Sequence, residues 1–106
     1  MTMASRPQSG PASDPELLIL SSLAGGSKHG YGIMQDIHRF AGVKIGPGTL
    51  YTAITRLVEK GWIEAAAPEG RQRPYRLTAG GARQLSEQLR SMQELAEVAL
   101  ERRGTI

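Results

Sequence analysis

The 106-residue sequence predicts a mainly α fold that carries one small β-hairpin, an α+β arrangement, on three observations. Apolar residues recur at helical spacing in four stretches, separated by glycines, prolines and short polar turns. Two short runs, Trp62-Ile63-Glu64-Ala65 and Tyr75-Arg76-Leu77-Thr78, read instead as strands, with Ala66 to Pro74 as the turn region between them. The last helical stretch, from about Ala79 to Arg103, is long for so small a chain and keeps an apolar seam.

In chain order, Met1 to Ser13 is Ser/Pro/Gly-rich with a single charge, Arg6, and its composition predicts a flexible tail or an arm that orders on a partner. Asp14-Pro15-Glu16 then supplies an N-cap, a proline suited to the first helical turn and a first-turn acid, with Ser13 and Glu16 at capping-box spacing. Helix one carries Leu17, Leu18, Leu20 and Leu23, and Ala24-Gly25-Gly26-Ser27 ends it. Lys28-His29-Gly30-Tyr31-Gly32 opens a second helix that runs to about Phe40, with Ile33, Met34, Ile37 and Phe40 on one side. Glycine inside a helix costs about 1 kcal/mol relative to alanine, so something should approach Gly30 and Gly32 closely, a neighbouring helix in preference to a phosphate. His29 reads as a cap or local hydrogen-bond former, because no second ligand stands at metal spacing around it.

The third helix is the most informative. Gly46-Pro47-Gly48-Thr49 turns sharply and starts it at or near Pro47, and Gly61 closes it. Leu50, Ala53, Ile54 and Leu57 fall on one stripe; Thr49, Thr52, Thr55, Arg56 and Glu59 rotate to the far side, with Tyr51 on the boundary. A helix meant only to be solvated would carry more Glu and Lys there, since threonine is a mediocre helix former. Hydroxyls, a tyrosine and an arginine suit phosphates and base edges in a major groove. Three helices with a tight link between the second and third make a helix-turn-helix layout. The loop Pro68-Glu69-Gly70-Arg71-Gln72-Arg73-Pro74 then carries two arginines on a hairpin tip, where the winged form of that fold places a phosphate or minor-groove contact. The residues expected on DNA are Thr49, Tyr51, Thr52, Thr55 and Arg56 from the helix, Arg71 and Arg73 from the wing, and Lys28 and Lys44 before the second and third helices.

His29-Gly30-Tyr31-Gly32, Gly48-Thr49-Leu50-Tyr51 with Leu57 and Gly61-Trp62-Ile63, and Arg73-Pro74-Tyr75-Arg76-Leu77-Thr78 with Gly81 together carry a family resemblance. In their order and spacing, over about Leu17 to Gln88, the chain resembles the PadR family of bacterial transcriptional regulators. That resemblance implies a winged helix-turn-helix repressor, a dimer on a roughly palindromic operator, released by a small molecule or another signal; for some members it suggests aromatic or drug-like effectors that enter between the protomers. Thr52 stands where the family often has proline, and the chain has room for one C-terminal helix, like the family's short subgroup.

That helix begins at Thr78, whose hydroxyl suits a cap. Leu85, Leu89, Met92, Ala96 and Ala99 recur at spacings of four, three, four and three, the pattern of a coiled-coil seam, and Leu95, Val98 and Leu100 widen it. A small body whose other elements cover one another has no room for such a stripe, so the seam is expected to pair with a second copy or with the partner's first helix at Leu17. The expected dimerisation set is therefore Leu17, Leu85, Leu89, Met92, Leu95, Ala96 and Ala99. The expected division is a tail over 1–13, a winged helix-turn-helix domain over 14–78 and a dimerisation helix over 79–106.

The sequence carries a net charge of +3 and a pI near 9.7, a modest basic excess that permits nucleic-acid binding without demanding it. With no cysteine, disulfides and thiolate metal sites are excluded. No catalytic constellation, phosphate-binding loop or metal-ligand cluster appears, and no cofactor is expected. No apolar run approaches a membrane span and no signal peptide is visible, so no membrane partner and a cytoplasmic location are expected. The alternative to a dimeric DNA-binding repressor is a winged-helix module that binds another protein. An acidic or apolar face on the third helix would have favoured that reading; Thr, Tyr and Arg favour DNA.

Overall fold

A computed structural model describes residues 13–104, so the expected tail, Ser13 apart, and the last two residues of the expected 79–106 segment lie outside the described residues. The elements are α1 (Pro15–Leu23), α2 (Gly30–Ala41), α3 (Pro47–Glu59), β1 (Ile63–Ala65), β2 (Tyr75–Leu77) and α4 (Ala79–Gly104). Each expected element is present, with bounds within a residue or two of those read from the sequence.

Local chemistry sets the helix starts. At α1 the Asp14 carboxylate accepts the Glu16 N–H at 3.1 Å, and Pro15 occupies the turn where a missing N–H costs nothing. Glu16 pairs with Lys60 at 2.7 Å and ties the start of α1 to the end of α3. His29 caps α2, its Nδ1 accepting the Gly32 N–H at 3.4 Å. Gly42, at φ 69°, ends that helix in the left-handed conformation that glycine adopts without strain.

The core gathers around α1, which touches α2, α3, α4 and β2 and is buried almost all round. Ile19 is therefore as deep in the core as the four leucines expected there. Ile33 and Ile37 from α2, Leu50 and Leu57 from α3, and Ile63 from β1 close over it. Phe40 departs from the expected pattern. Lying in the last turn of α2, it extends past what covers Ile33 and Ile37 and is 49% exposed. Trp62 is partly buried against the core, with the Lys60 ammonium 4.7 Å from its ring centroid.

β1 and β2 pair antiparallel, Ile63 opposite Leu77 and Glu64 opposite Arg76, with the Arg76 Nε donating to Glu64 at 2.8 Å. Lys28 adds an isolated one-residue bridge to β2 that the sequence pattern does not reveal: its N–H donates to the Tyr75 carbonyl at 3.1 Å and its carbonyl accepts the Tyr75 N–H at 2.9 Å. Thr78 caps α4, accepting the Gly81 N–H at 3.0 Å and donating to the Gly61 carbonyl at 2.6 Å. A Cβ at Gly81 would run into the Trp62 carbonyl oxygen, so α4 starts pressed against the backbone leading into β1.

Candidate nucleic-acid interface

α3 is anchored by one face and open on the other. Leu50, Ala53, Ile54 and Leu57 are buried, while Thr49, Thr52, Thr55, Arg56 and Glu59 are exposed, as the periodicity predicts. Thr49, Thr52 and Arg56 line a cleft of about 450 Å³ whose other wall is Pro15 and Glu16 at the start of α1. The Thr55 hydroxyl donates to the Tyr51 carbonyl at 2.9 Å, which leaves it an acceptor for any partner. Tyr51 is 48% exposed at the boundary.

The wing is a second outward-facing basic element. Ala66 N–H donates to the Pro74 carbonyl at 2.8 Å, and Glu69 and Gln72 exchange backbone bonds at 2.9 and 3.0 Å around Gly70-Arg71. Gly70 has φ 62°, which fits a two-residue hairpin turn led by glycine. Arg71 and Arg73 are both exposed on this tip, and Lys44 is exposed in the link between α2 and α3.

Lys28 is used differently from the expectation. Its ammonium donates to the Ser22 carbonyl at 2.6 Å and the Gly26 carbonyl at 3.3 Å, and stands 3.8 Å from Asp36. It adds a second donor to the Ser22 carbonyl in the last turn of α1, which also accepts the Gly25 N–H at 3.1 Å, and reaches the Gly26 carbonyl just past the helix end. Asp36 accepts the Ser22 hydroxyl at 2.7 Å and pairs with Arg39 at 3.3 Å. That hydroxyl bond first, and the nearby Lys28 and Arg39 charges after it, hold the Asp36 carboxyl below the ordinary carboxylate range against the opposing effect of burial. Lys28 thus joins α1 to α2 within the fold.

Gly30 and Gly32 also separate. A Cβ at Gly30 would fall on the Tyr51 hydroxyl, so a neighbouring helix does approach it; at Gly32 the nearest side-chain atoms are 3.6 to 3.9 Å away, ordinary contacts from Lys28 and His29. The Gly30–Tyr51 fit is not legible in the sequence, since both motifs show only that small and aromatic residues are present.

On the expected dimer seam, Leu17 and Leu85 are 7% and 6% exposed because they complete the core of their own protomer, so neither offers surface to a partner. Met92 is partly buried against the same core. Past it every described residue from 93 to 104 is exposed, including Ala96 and Ala99, and so are Leu89, Leu95, Val98 and Leu100. Among the described residues, no group of three or more His, Cys, Asp or Glu could hold a metal ion, and no helix is long and apolar enough to cross a membrane.

The family model for the transcriptional regulator PadR-like family matches residues 19–87. Transcriptional regulator Rv3488 of Mycobacterium tuberculosis is 37% identical over 87 residues, 79% of this chain and 80% of that protein. An uncharacterized 37.1 kDa protein in transposon TN4556 of Streptomyces fradiae is 40% identical over 83 residues, 78% of this chain, which spans only 24% of that relative's length. The solved structure of a transcriptional regulator from Clostridium thermocellum is 28% identical with a TM-score of 0.71, over 81% of this chain and 89% of that one.

Proposed function

The chain belongs to the PadR-like family of transcriptional regulators, and from that premise we propose that it is a homodimeric repressor reading an inverted-repeat operator with α3. The observation that carries this reading is the outer face of α3, where Thr49, Thr52 and Arg56 are bare while the opposite stripe is locked in the core. A face of hydroxyls and a guanidinium offers bidentate and single hydrogen bonds to base edges and phosphates, and it cannot satisfy an apolar partner. Arg71 and Arg73 then neutralise phosphates or enter the minor groove beside it, and Lys44 adds a backbone contact. The second half of α4 pairs with its copy across a two-fold axis, which sets two α3 helices one DNA turn apart. A small molecule or other signal that changes this pairing relieves repression, and the protein works in the cytoplasm, where its operator lies.

Selection of bound sequences from random duplex DNA tests the reading. An enriched inverted repeat with half-site centres about 34 Å apart is the expected result. Binding with no enriched sequence, or none at all, would leave α3 without its assigned role.

A further inference from the structure

Gly30 is buried at the start of α2, and the hydroxyl end of the Tyr51 ring lies where its Cβ would stand. An alanine at that position would put its Cβ onto the Tyr51 Oη, 2.9 Å from Cζ and 3.3 Å from Leu50 Cδ2. Leu50 is fully buried and has little room to move, whereas the Tyr51 ring is half exposed. The ring is therefore the part that would give way. Gly32 supplies an internal contrast, because a Cβ there meets nothing nearer than 3.6 Å. The two glycines share a helix start and a helix-propensity penalty, yet only one has a tenant in the space of its missing side chain.

We propose that Gly30 is a positioning residue for DNA recognition: its missing Cβ is the notch that seats Tyr51 against α2 and so fixes where the Tyr51 hydroxyl stands at the boundary of the outer face of α3. The proposal rests on the regulator reading above. Side-chain torsions occupy staggered wells about 120° apart, so a ring expelled from the notch relocates its hydroxyl rather than nudging it. It would swing outward, toward the side from which the duplex arrives. Tyr51 and Leu50 both belong to α3, so the notch lies at the contact between the two helices of the pair. Tyr51 is thereby presented to DNA preorganised, without ordering a loose aromatic side chain on binding.

The test compares the full-length parent, Gly30→Ala, Gly32→Ala, Tyr51→Ala and the Gly30→Ala/Tyr51→Ala pair, each titrated with the duplex that selection recovers and each melted thermally. Gly30→Ala should bind about tenfold more weakly, the size of one misplaced groove contact, with its thermal midpoint near the parent's. Gly32→Ala should bind like the parent. In the Tyr51→Ala background, Gly30→Ala should cost nothing further, because the ring it displaces is gone. Equal losses with and without the Tyr51 ring would overturn the proposal, as would a Gly30→Ala variant that binds like the parent. A second measurement needs no variant to fold: nuclear Overhauser contacts between the Tyr51 ring and the Gly30 α-protons should persist in the parent bound to duplex. Their absence in the complex overturns the seat. A parent that selects no duplex overturns the regulator reading and the recognition role with it, while the same contacts in the free protein report separately on the notch.

Discussion

α3 and α4 are both amphipathic helices, and they differ in which face the protomer leaves uncovered. α3 gives Leu50, Ala53, Ile54 and Leu57 to the core, leaves only Val58 at the stripe's edge half exposed, and turns hydroxyls and a guanidinium outward. α4 does so fully only at Leu85 and in part at Met92; Leu89 between them is half exposed, and beyond them Leu95, Val98 and Leu100 stand in the open on a helix with nothing of its own beneath. A polar outer face calls for a partner that returns hydrogen bonds and charge. An apolar one calls for a partner that removes water. One small fold thus presents two surfaces of opposite chemistry, and substitutions should separate them.

The largest effect should come from confusing the faces. Leu57→Ala empties a fully buried site on α3 and should cost about 2 to 5 kcal/mol of protomer stability. Leu95→Ala, at a residue 68% exposed, should change protomer stability by no more than about 0.5 kcal/mol. Denaturant titration at low protein concentration measures both. If the two cost alike, the second half of α4 is covered within the protomer and the contrast fails. Leu95→Glu together with Val98→Glu should then leave the protomer folded but shift sedimentation from dimer to monomer at micromolar concentration.

Next in size is the polar face. Arg56→Ala should weaken operator binding by about 1 to 3 kcal/mol and relax preference at one base position if the guanidinium reads a base edge. Competition between operator variants would check it. A uniform loss across all sequences would move Arg56 to a phosphate.

Much of this contrast is legible from residues alone. Pro47 and the four-residue stripe of α3 announce a helix with one core face, and Gly70 between two prolines announces the wing. What periodicity does not contain is the identity of what covers a face. Leu17 and Leu85 read as a dimer seam because a stripe looks the same whether its own core or a second copy lies on it. Phe40 fails in the opposite direction: it keeps the stripe's spacing where the body beneath has ended. Lys28 was beyond reach for another reason. Its partners, Ser22, Asp36 and Tyr75, come from α1, α2 and β2, and no local pattern joins them.

Lys28 and the wing arginines carry the comparison onto charge, a cation held inside the fold against two left bare. Each of Arg71→Ala and Arg73→Ala should lower the slope of log affinity against log salt by about one if it contacts a phosphate. Lys28→Ala should leave that slope unchanged and lower thermal stability instead. A slope change for Lys28 with none for the arginines would reverse the assignment.

The smallest effect expected is a pH dependence centred on Asp36, the anion that Lys28 faces. Its folded carboxyl lies below the ordinary range, chiefly because the Ser22 hydroxyl donates to the charged form and then because Lys28 and Arg39 stand beside it. The ionised state is thus bound more favourably in the folded chain than in the unfolded one. Its contribution is fully present above the unfolded carboxylate value and is lost as the pH falls through the folded one. Asp36→Asn keeps the shape, has no charge to lose, and should melt below the parent at neutral pH by about one hydrogen bond, roughly 1 kcal/mol. The two melting curves should converge as the solution is acidified through the carboxylate range, because protonation then makes the parent resemble the variant. Other carboxylates titrate in both proteins and cancel in the difference. A gap that stays constant down to the acid limit would mean that the charge on Asp36 does not stabilise the α1–α2 junction, and that Lys28 is held by the Ser22 and Gly26 carbonyls alone.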